Sequence, residues 1–151
     1  MLKLSKKTEY ALMAVQYMAS KNSLRAVNTK EIAVEYRIPL ELLAKVLQKL
    51  GKKGIVISHN GPKGGYLLAK PASDISVLAV IQAIEGHMGI TECYHNEESH
   101  CVQLARCNIR TPMRNIQNSI YSLLESMSIE DMTTFGTTIQ PTRTESLALH
   151  G

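Results

Sequence analysis

A mainly α-helical chain carrying one small β-hairpin is predicted by three observations. Apolar residues recur at helical spacing in several stretches between residues 8 and 127. One β-branched run, Ile55-Val56-Ile57, is followed by a Gly-rich turn and a second short run, Tyr66-Leu67-Leu68. Strand, tight turn, strand is the pattern of a hairpin. A long amphipathic stretch then closes the chain's ordered pattern, after a segment without periodicity that holds all three cysteines.

Taken in order, Ala11, Leu12, Val15, Met18 and Ala19 share one face of a helix over 8–20. After a polar break, Asn28 and Glu31 are placed as a capping pair for a second helix over 29–36, with Ile32 and Ala33 inward. A short turn through Arg37 and Ile38 reaches Pro39, which suits the first turn of a third helix. There Leu40, Leu43, Val46, Leu47 and Leu50 form the buried stripe, and Gly51 and Gly54 end it. The hairpin follows, through Asn60-Gly61-Pro62-Lys63-Gly64-Gly65. Ser73 or Asp74 is expected to cap a fourth helix over 75–85, closed by Gly86. Thr111-Pro112 opens a long helix to about residue 127, with Ile116, Ile120, Leu123, Leu124 and Met127 on one side. That stripe is more than a lone terminal helix can bury on a small domain. Ser128 and Asp131 resemble another cap, starting a brief helix that fades near Phe135, and residues 136–151 read as a flexible tail.

Three helices and a hairpin make a winged helix–turn–helix. The expected division is a DNA-binding domain over 1–70, a helix, cysteine loop and dimerisation helix over 71–135, and the tail. At 151 residues the chain is long enough for a proper core. Its 44% hydrophobic and 20% charged composition is that of a soluble globular protein. The first ten residues contain no apolar export region, and no stretch is apolar enough to span a bilayer, so a cytoplasmic address and no membrane partner are expected. The net charge of +4 conceals an asymmetry. Residues 1–70 hold 13 Lys and Arg against 4 Asp and Glu, whereas residues 71–151 hold 4 against 9. A cationic first half calls for an anionic partner, and the helix–turn–helix pattern makes that partner double-stranded DNA.

A recognition helix presents polar side chains to the major groove and keeps its apolar stripe inward. On the third helix Glu41 suits cytosine amino groups, Lys45 suits guanine, and Leu42 suits a thymine methyl. Lys49, Lys52 and Lys53 suit phosphates, and Thr29, opening the second helix, joins the DNA-facing set. In the wing, His59, Asn60 and Lys63 reach toward a neighbouring minor groove, where glycines let the backbone approach closely. No paired carboxylates, nucleophile with a base, or phosphate loop stand in a supporting context, so an enzyme is not expected.

The cysteines follow the spacing Cys93-x7-Cys101-x5-Cys107. Zinc fingers and ribbons favour close C-x2–4-C pairs, which are absent here. Wider spacing in an irregular loop lets thiolates surround a bulkier centre, as an iron–sulfur cluster requires. Three thiolates leave one position for another ligand, with His95, His100 and Glu9 as candidates.

The opening LSKKTEYAL, the stretch EIAVEYRIPLELLAKVLQKLGKKGIV, the wing GPKGGYLLAKPASDIS and the three cysteines resemble the winged-helix iron–sulfur transcriptional regulators of the IscR, NsrR and RirA type. The resemblance covers residues 1 to about 135, and the cysteine spacing is nearest to the RirA-like iron regulators. It implies a homodimer on a pseudo-palindromic operator, with the long helix packed on its mate through Ile116, Ile120, Leu123, Leu124 and Met127. It also implies a 2Fe–2S or 4Fe–4S cluster on Cys93, Cys101 and Cys107, whose gain or loss changes operator affinity, most simply in a repressor. Two departures stand out. Where IscR-like members place a histidine three residues after the last cysteine, this chain has Arg110. Glu9 instead matches the acidic ligand that NsrR-like members supply from the first helix of the other subunit. Where some members carry a wing arginine, this chain has Asn60. The rival expectation is a regulator of the same fold without a cluster, acting through a protein partner or built on a structural zinc.

Overall fold

The computed structural model describes residues 3–21, 25–62, 64–91, 93 and 101–135. Among them the order is α1 (Lys6–Ser20), α2 (Thr29–Tyr36), α3 (Leu40–Lys52), β1 (Val56–Ser58), β2 (Tyr66–Leu68), a 3-10 turn (Ala72–Asp74), α4 (Val77–Glu85), a second 3-10 turn (Leu104–Arg106), α5 (Arg110–Ser126) and α6 (Ile129–Phe135). The fold is mainly helical with one antiparallel hairpin, as the sequence pattern predicts. No helix of the described residues is long and apolar enough to cross a membrane.

Helix α1 begins two residues earlier than its apolar pattern, because the Ser5 hydroxyl accepts from the Thr8 amide and caps it. It buries Ala11, Ala14, Val15 and Met18, while Leu12 and Ala19 flank them half-buried. Asn28 caps α2 by accepting from the Lys30 amide at 2.7 Å. Its expected capping partner does not reach back: the Glu31 carboxylate takes Tyr17 and Arg25 instead. Arg37 then stands in the left-handed region at φ 53°, which turns the chain sharply and lets the Ile38 amide bond the Ala33 carbonyl. That turn sets α3 across α2.

On α3, Leu43, Val46, Leu47 and Leu50 are buried. Leu40, predicted to complete the stripe, is 49% exposed. It shares their face but occupies the first turn, before the helix has reached the core. The helix also runs through Gly51, and Gly54 at φ 75° makes the turn into the hairpin. The strands pair Val56 with Leu68, Ile57 with Leu67 and Ser58 with Tyr66. A third short partner comes from the polar break before α2, where Val27 and Tyr66 exchange both backbone hydrogen bonds, at 2.9 and 2.8 Å. The wing is thereby fastened to the helix–turn–helix.

That fastening requires Gly65. Its φ is 141°, and a β-carbon there would lie 2.8 Å from the Val27 carbonyl oxygen. Gly65→Ala is expected to destabilise the protein by about 1–3 kcal/mol through strain and backbone clash. Urea unfolding of the two proteins measures it, and equal midpoints would show that the wing tolerates the side chain.

Ser76, rather than Ser73 or Asp74, caps α4, accepting from the Ala79 amide at 3.0 Å. The start moves because Ile75 stays extended, its carbonyl accepting from the Ile129 amide at 2.8 Å. Val77 donates to the Met127 carbonyl at the same distance, so the entries of α4 and α6 are laced together. Helix α4 buries Val77, Leu78, Val80, Ile81, Ala83 and Ile84, which places it at the centre. Ser128 and Asp131 form the reciprocal cap expected for α6, at 3.0 and 2.8 Å. Ile129 is fully buried and α6 lies against α1. One hydrophobic cluster therefore runs from Ala11 to Ile129. Residues 136–151, expected as a tail, lie outside the described residues.

Candidate nucleic-acid interface and thiol segment

Burying one side of α3 leaves Glu41, Lys45 and Lys52 exposed on its other side, with Leu42 half-buried at the margin. His59 and Asn60 are exposed at the wing, and Thr29 sits half-buried where α2 begins. Lys63 lies outside the described residues. Lys49 is placed differently from its neighbours: its ammonium donates to the Ile84 carbonyl oxygen at 2.8 Å. It tethers α3 to the last turn of α4, where a cation also meets the favourable end of the helix dipole. The segment predicted to read DNA is thus anchored to α4 by one of the lysines counted for phosphates, itself exposed like Lys45 and Lys52.

Two carboxylates hold the helices behind this face. Glu31 accepts from the Tyr17 hydroxyl at 2.7 Å and from Arg25 at 2.5 Å. The Tyr17 hydrogen bond, with help from Arg25, holds the Glu31 carboxyl below its usual range, and Glu31 in turn pushes the Tyr17 phenol up to about 12. Glu85, ending α4, accepts from the Ser5 amide at 2.8 Å and the Thr8 hydroxyl at 2.5 Å. The Ser5 hydroxyl, then the Thr8 hydroxyl and the Ser5 amide, hold its carboxyl below the ordinary 4.5, against an opposing effect of burial. A depressed carboxyl contributes stability above the unfolded-state value, and that contribution is lost as pH falls through the folded one. The wild-type chain is therefore expected to lose stability between about pH 4.5 and lower more steeply than Glu85→Gln. Urea midpoints measured from pH 6 to pH 3 check this, and parallel curves would remove Glu85 from the acid response.

Cys93 and Cys107 are half-buried and Cys101 is exposed, and all three are free thiols. The Cys93 sulfur lies 3.2 Å from the Thr91 hydroxyl, and Cys101 contacts the Gln103 amide oxygen at 3.4 Å. Among the described residues no group of three or more His, Cys, Asp and Glu stands close enough to hold a metal ion. Residues 94–100, with His95 and His100, lie outside the described residues. The donor chemistry nevertheless fits an iron–sulfur centre: three soft sulfur donors, none tied in a disulfide and none sealed in the core. Glu9, the expected fourth ligand, pairs with Lys6 at 2.6 Å on the exposed side of α1.

The apolar stripe of the last long helix divides in two. Leu124 and Met127 pack against the chain's own core, and Ile120 is half-buried in a cleft between α4 and α5. Ile116 and Leu123 stay 48% and 60% exposed. Gln117, only 2% exposed, and Tyr121 meet the backbone ahead of Cys93 from the inner side of the same helix. Neither residue belongs to the apolar stripe that helical spacing picks out, although a glutamine flanked by such a stripe is the signal that finds this contact.

A family model described as Rrf2, iron-dependent transcriptional regulator, matches residues 4–134. The chain is 33% identical over 131 residues to the HTH-type transcriptional regulator NsrR of Oceanobacillus iheyensis, covering 87% of this chain and 89% of that protein. It is 32% identical over 131 residues to the HTH-type transcriptional regulator IscR of Vibrio atlanticus, covering 87% and 75%. Among solved structures it is similar to CymR (YrzC), the global cysteine regulator of B. subtilis, with a TM-score of 0.72 and 26% identity over 89% of this chain and 98% of that one.

Proposed function

This chain belongs to the Rrf2 family of DNA-binding transcriptional regulators, which are not enzymes, and from that premise we propose that it is a homodimeric repressor switched by an iron–sulfur cluster. One observation carries the proposal. The chain's only cysteines are free thiols, and all lie between the DNA-reading half and the partly exposed helix α5.

Cys93, Cys101 and Cys107 would hold the cluster, with Glu9 of the second subunit as fourth ligand. When bound, such a centre supplies an oxidisable, nitrosylatable and iron-dependent group, so its loss can report iron, redox state or nitric oxide. On DNA, Glu41, Leu42 and Lys45 meet base edges in the major groove, Thr29 and Lys52 meet phosphates, and His59, Asn60 and Lys63 approach the minor groove. Lys49, exposed beside Lys45 and Lys52, joins the phosphate contacts and ties α3 to α4. Ile116 and Leu123 face the second copy, joined by the accessible edges of Ile120, Leu124 and Met127. A dimer sets two recognition helices on successive half-sites of a pseudo-palindromic operator in the bacterial cytoplasm. A cluster moves the affinity only by binding differently to the DNA-competent and incompetent dimers.

The test is an anisotropy titration of duplexes selected from a random pool, with cluster-loaded and cluster-free protein at one fixed salt concentration. Affinities differing at least about tenfold are expected, within the usual range of coupling between two sites. Equal affinities would leave a DNA-binding protein without the switch. A second reading is favoured by the similarity to CymR, described as a cysteine regulator. It is a cluster-free protein of the same fold that works through a protein partner or a structural zinc, and metal content separates the two.

A further inference from the structure

The described residues directly after α4, 86–91, belong to no helix or strand, yet their backbone is held. Gly86, at φ 74°, ends α4, and the following residues lead to Cys93. Gln117 reaches this segment from the inner face of α5: its amide oxygen accepts from the Ile90 amide at 2.9 Å, and its amide nitrogen donates to the Met88 carbonyl at 3.1 Å. Tyr121, four residues on and on the same face, accepts from the Met88 amide at 2.9 Å and donates to the Met88 carbonyl. Both polar groups of Met88 and the amide of Ile90 are thus satisfied by two side chains of one helix.

A glutamine 2% exposed is an expensive choice where the same helix packs Leu124 on the core. Burial of an amide is tolerated only when it is bonded, and an apolar residue of similar size would fill the space. What a leucine would not do is fix the backbone opposite. Cys93 follows Ile90 by three residues, so its α-carbon lies within roughly 11 Å of the clamped residue. Thr91, between them, has its hydroxyl 3.2 Å from the Cys93 sulfur.

We propose that Gln117 and Tyr121 are positioning residues for Cys93, clamping the chain at Met88 and Ile90 to α5 so that the first thiol of the segment is placed by that helix. The clamp joins the thiol segment to the helix that exposes Ile116 and Leu123, so a rearrangement at the thiols is felt on α5. The consequence for a cluster rests on the function proposed above, whereas the clamp itself does not.

The test uses reduced, metal-free full-length protein with Gln117→Leu and Tyr121→Phe. Alkylation by iodoacetamide is followed at each cysteine by peptide mass spectrometry, with amide hydrogen exchange at Met88 and Ile90. Cys93 alkylation is expected to rise about tenfold in both variants, as loss of a buried hydrogen bond implies. Amide exchange is expected to rise by a similar factor at Ile90 in Gln117→Leu and at Met88 in Tyr121→Phe. Cys101 is expected to keep its wild-type rate as an internal control. Tyr121→Phe retains the ring and the helix face, which preserves the test if Gln117→Leu folds poorly. Folded variants with wild-type rates at Cys93 and at the amide each side chain holds would overturn the proposal. A wild-type protein that never takes up iron and sulfide would sink the cluster reading, with the alkylation result still deciding the clamp. Where the wild type does load, faster cluster release to a chelator from both variants is the further expected result, and unchanged release would confine the clamp to the metal-free protein and contradict its placing of a ligand.

Discussion

Cys101→Ala is expected to give a folded protein that retains no iron. The side chain is exposed, and its sulfur contacts the Gln103 amide oxygen at 3.4 Å. Truncating it removes no core packing, so stability is expected to change by no more than about 0.5 kcal/mol. The metal consequence is far larger. Three thiolates are already one short of a full sulfur ligand set, and removing another leaves too few to retain a cluster. Iron content after anaerobic reconstitution and a thermal melt are measured on the same sample. Background iron with an unchanged melt fits the assignment. A coloured, iron-containing variant would move the ligand away from Cys101.

The second large effect lies in the scaffold of α3. Leu47 is fully buried, and Leu47→Ala is expected to cost about 2–5 kcal/mol, the transfer of the lost atoms plus the cavity they leave. Such a loss is a large part of the stability of a domain this size. Lys45→Ala, two residues earlier on the exposed side, is the matched control. It is expected to leave the unfolding midpoint nearly unchanged while weakening discrimination of a cognate base pair by about 1–3 kcal/mol. Urea unfolding and anisotropy titrations on both variants separate the two sides of the helix. A Lys45 variant that unfolds early, or a Leu47 variant of wild-type stability, would reverse the assignment of faces.

Most of the fold was legible because its signals are local. Asn28, Pro39 and the Ser128–Asp131 box fix helix starts within a turn of themselves, and the Gly-rich turn between two short apolar runs marks the hairpin. The misses are non-local. Ser76 replaces Ser73 or Asp74 as a cap because Ile75 is held extended by Ile129, a residue far along the chain. Glu31 abandons its capping partner for Tyr17 and Arg25. Leu40 has the right spacing but lies in a turn the core does not cover.

The candidate site divides the same way. Residue type and spacing pick out the thiols and the polar side of α3. They do not show that Lys49 turns back to the Ile84 carbonyl, or that Gln117 turns inward to hold Met88 and Ile90. Each of those roles depends on a backbone group supplied by a different element, and no periodicity encodes it.

The most direct measurement of the central claim is an absorption spectrum of anaerobically purified protein, with iron and acid-labile sulfide counted on the same sample. Visible absorption bands with iron and sulfide in matching amounts, two or four of each per chain, are the expected result. A colourless protein that takes up neither after reconstitution would contradict the cluster and leave a family regulator whose three thiols serve another purpose.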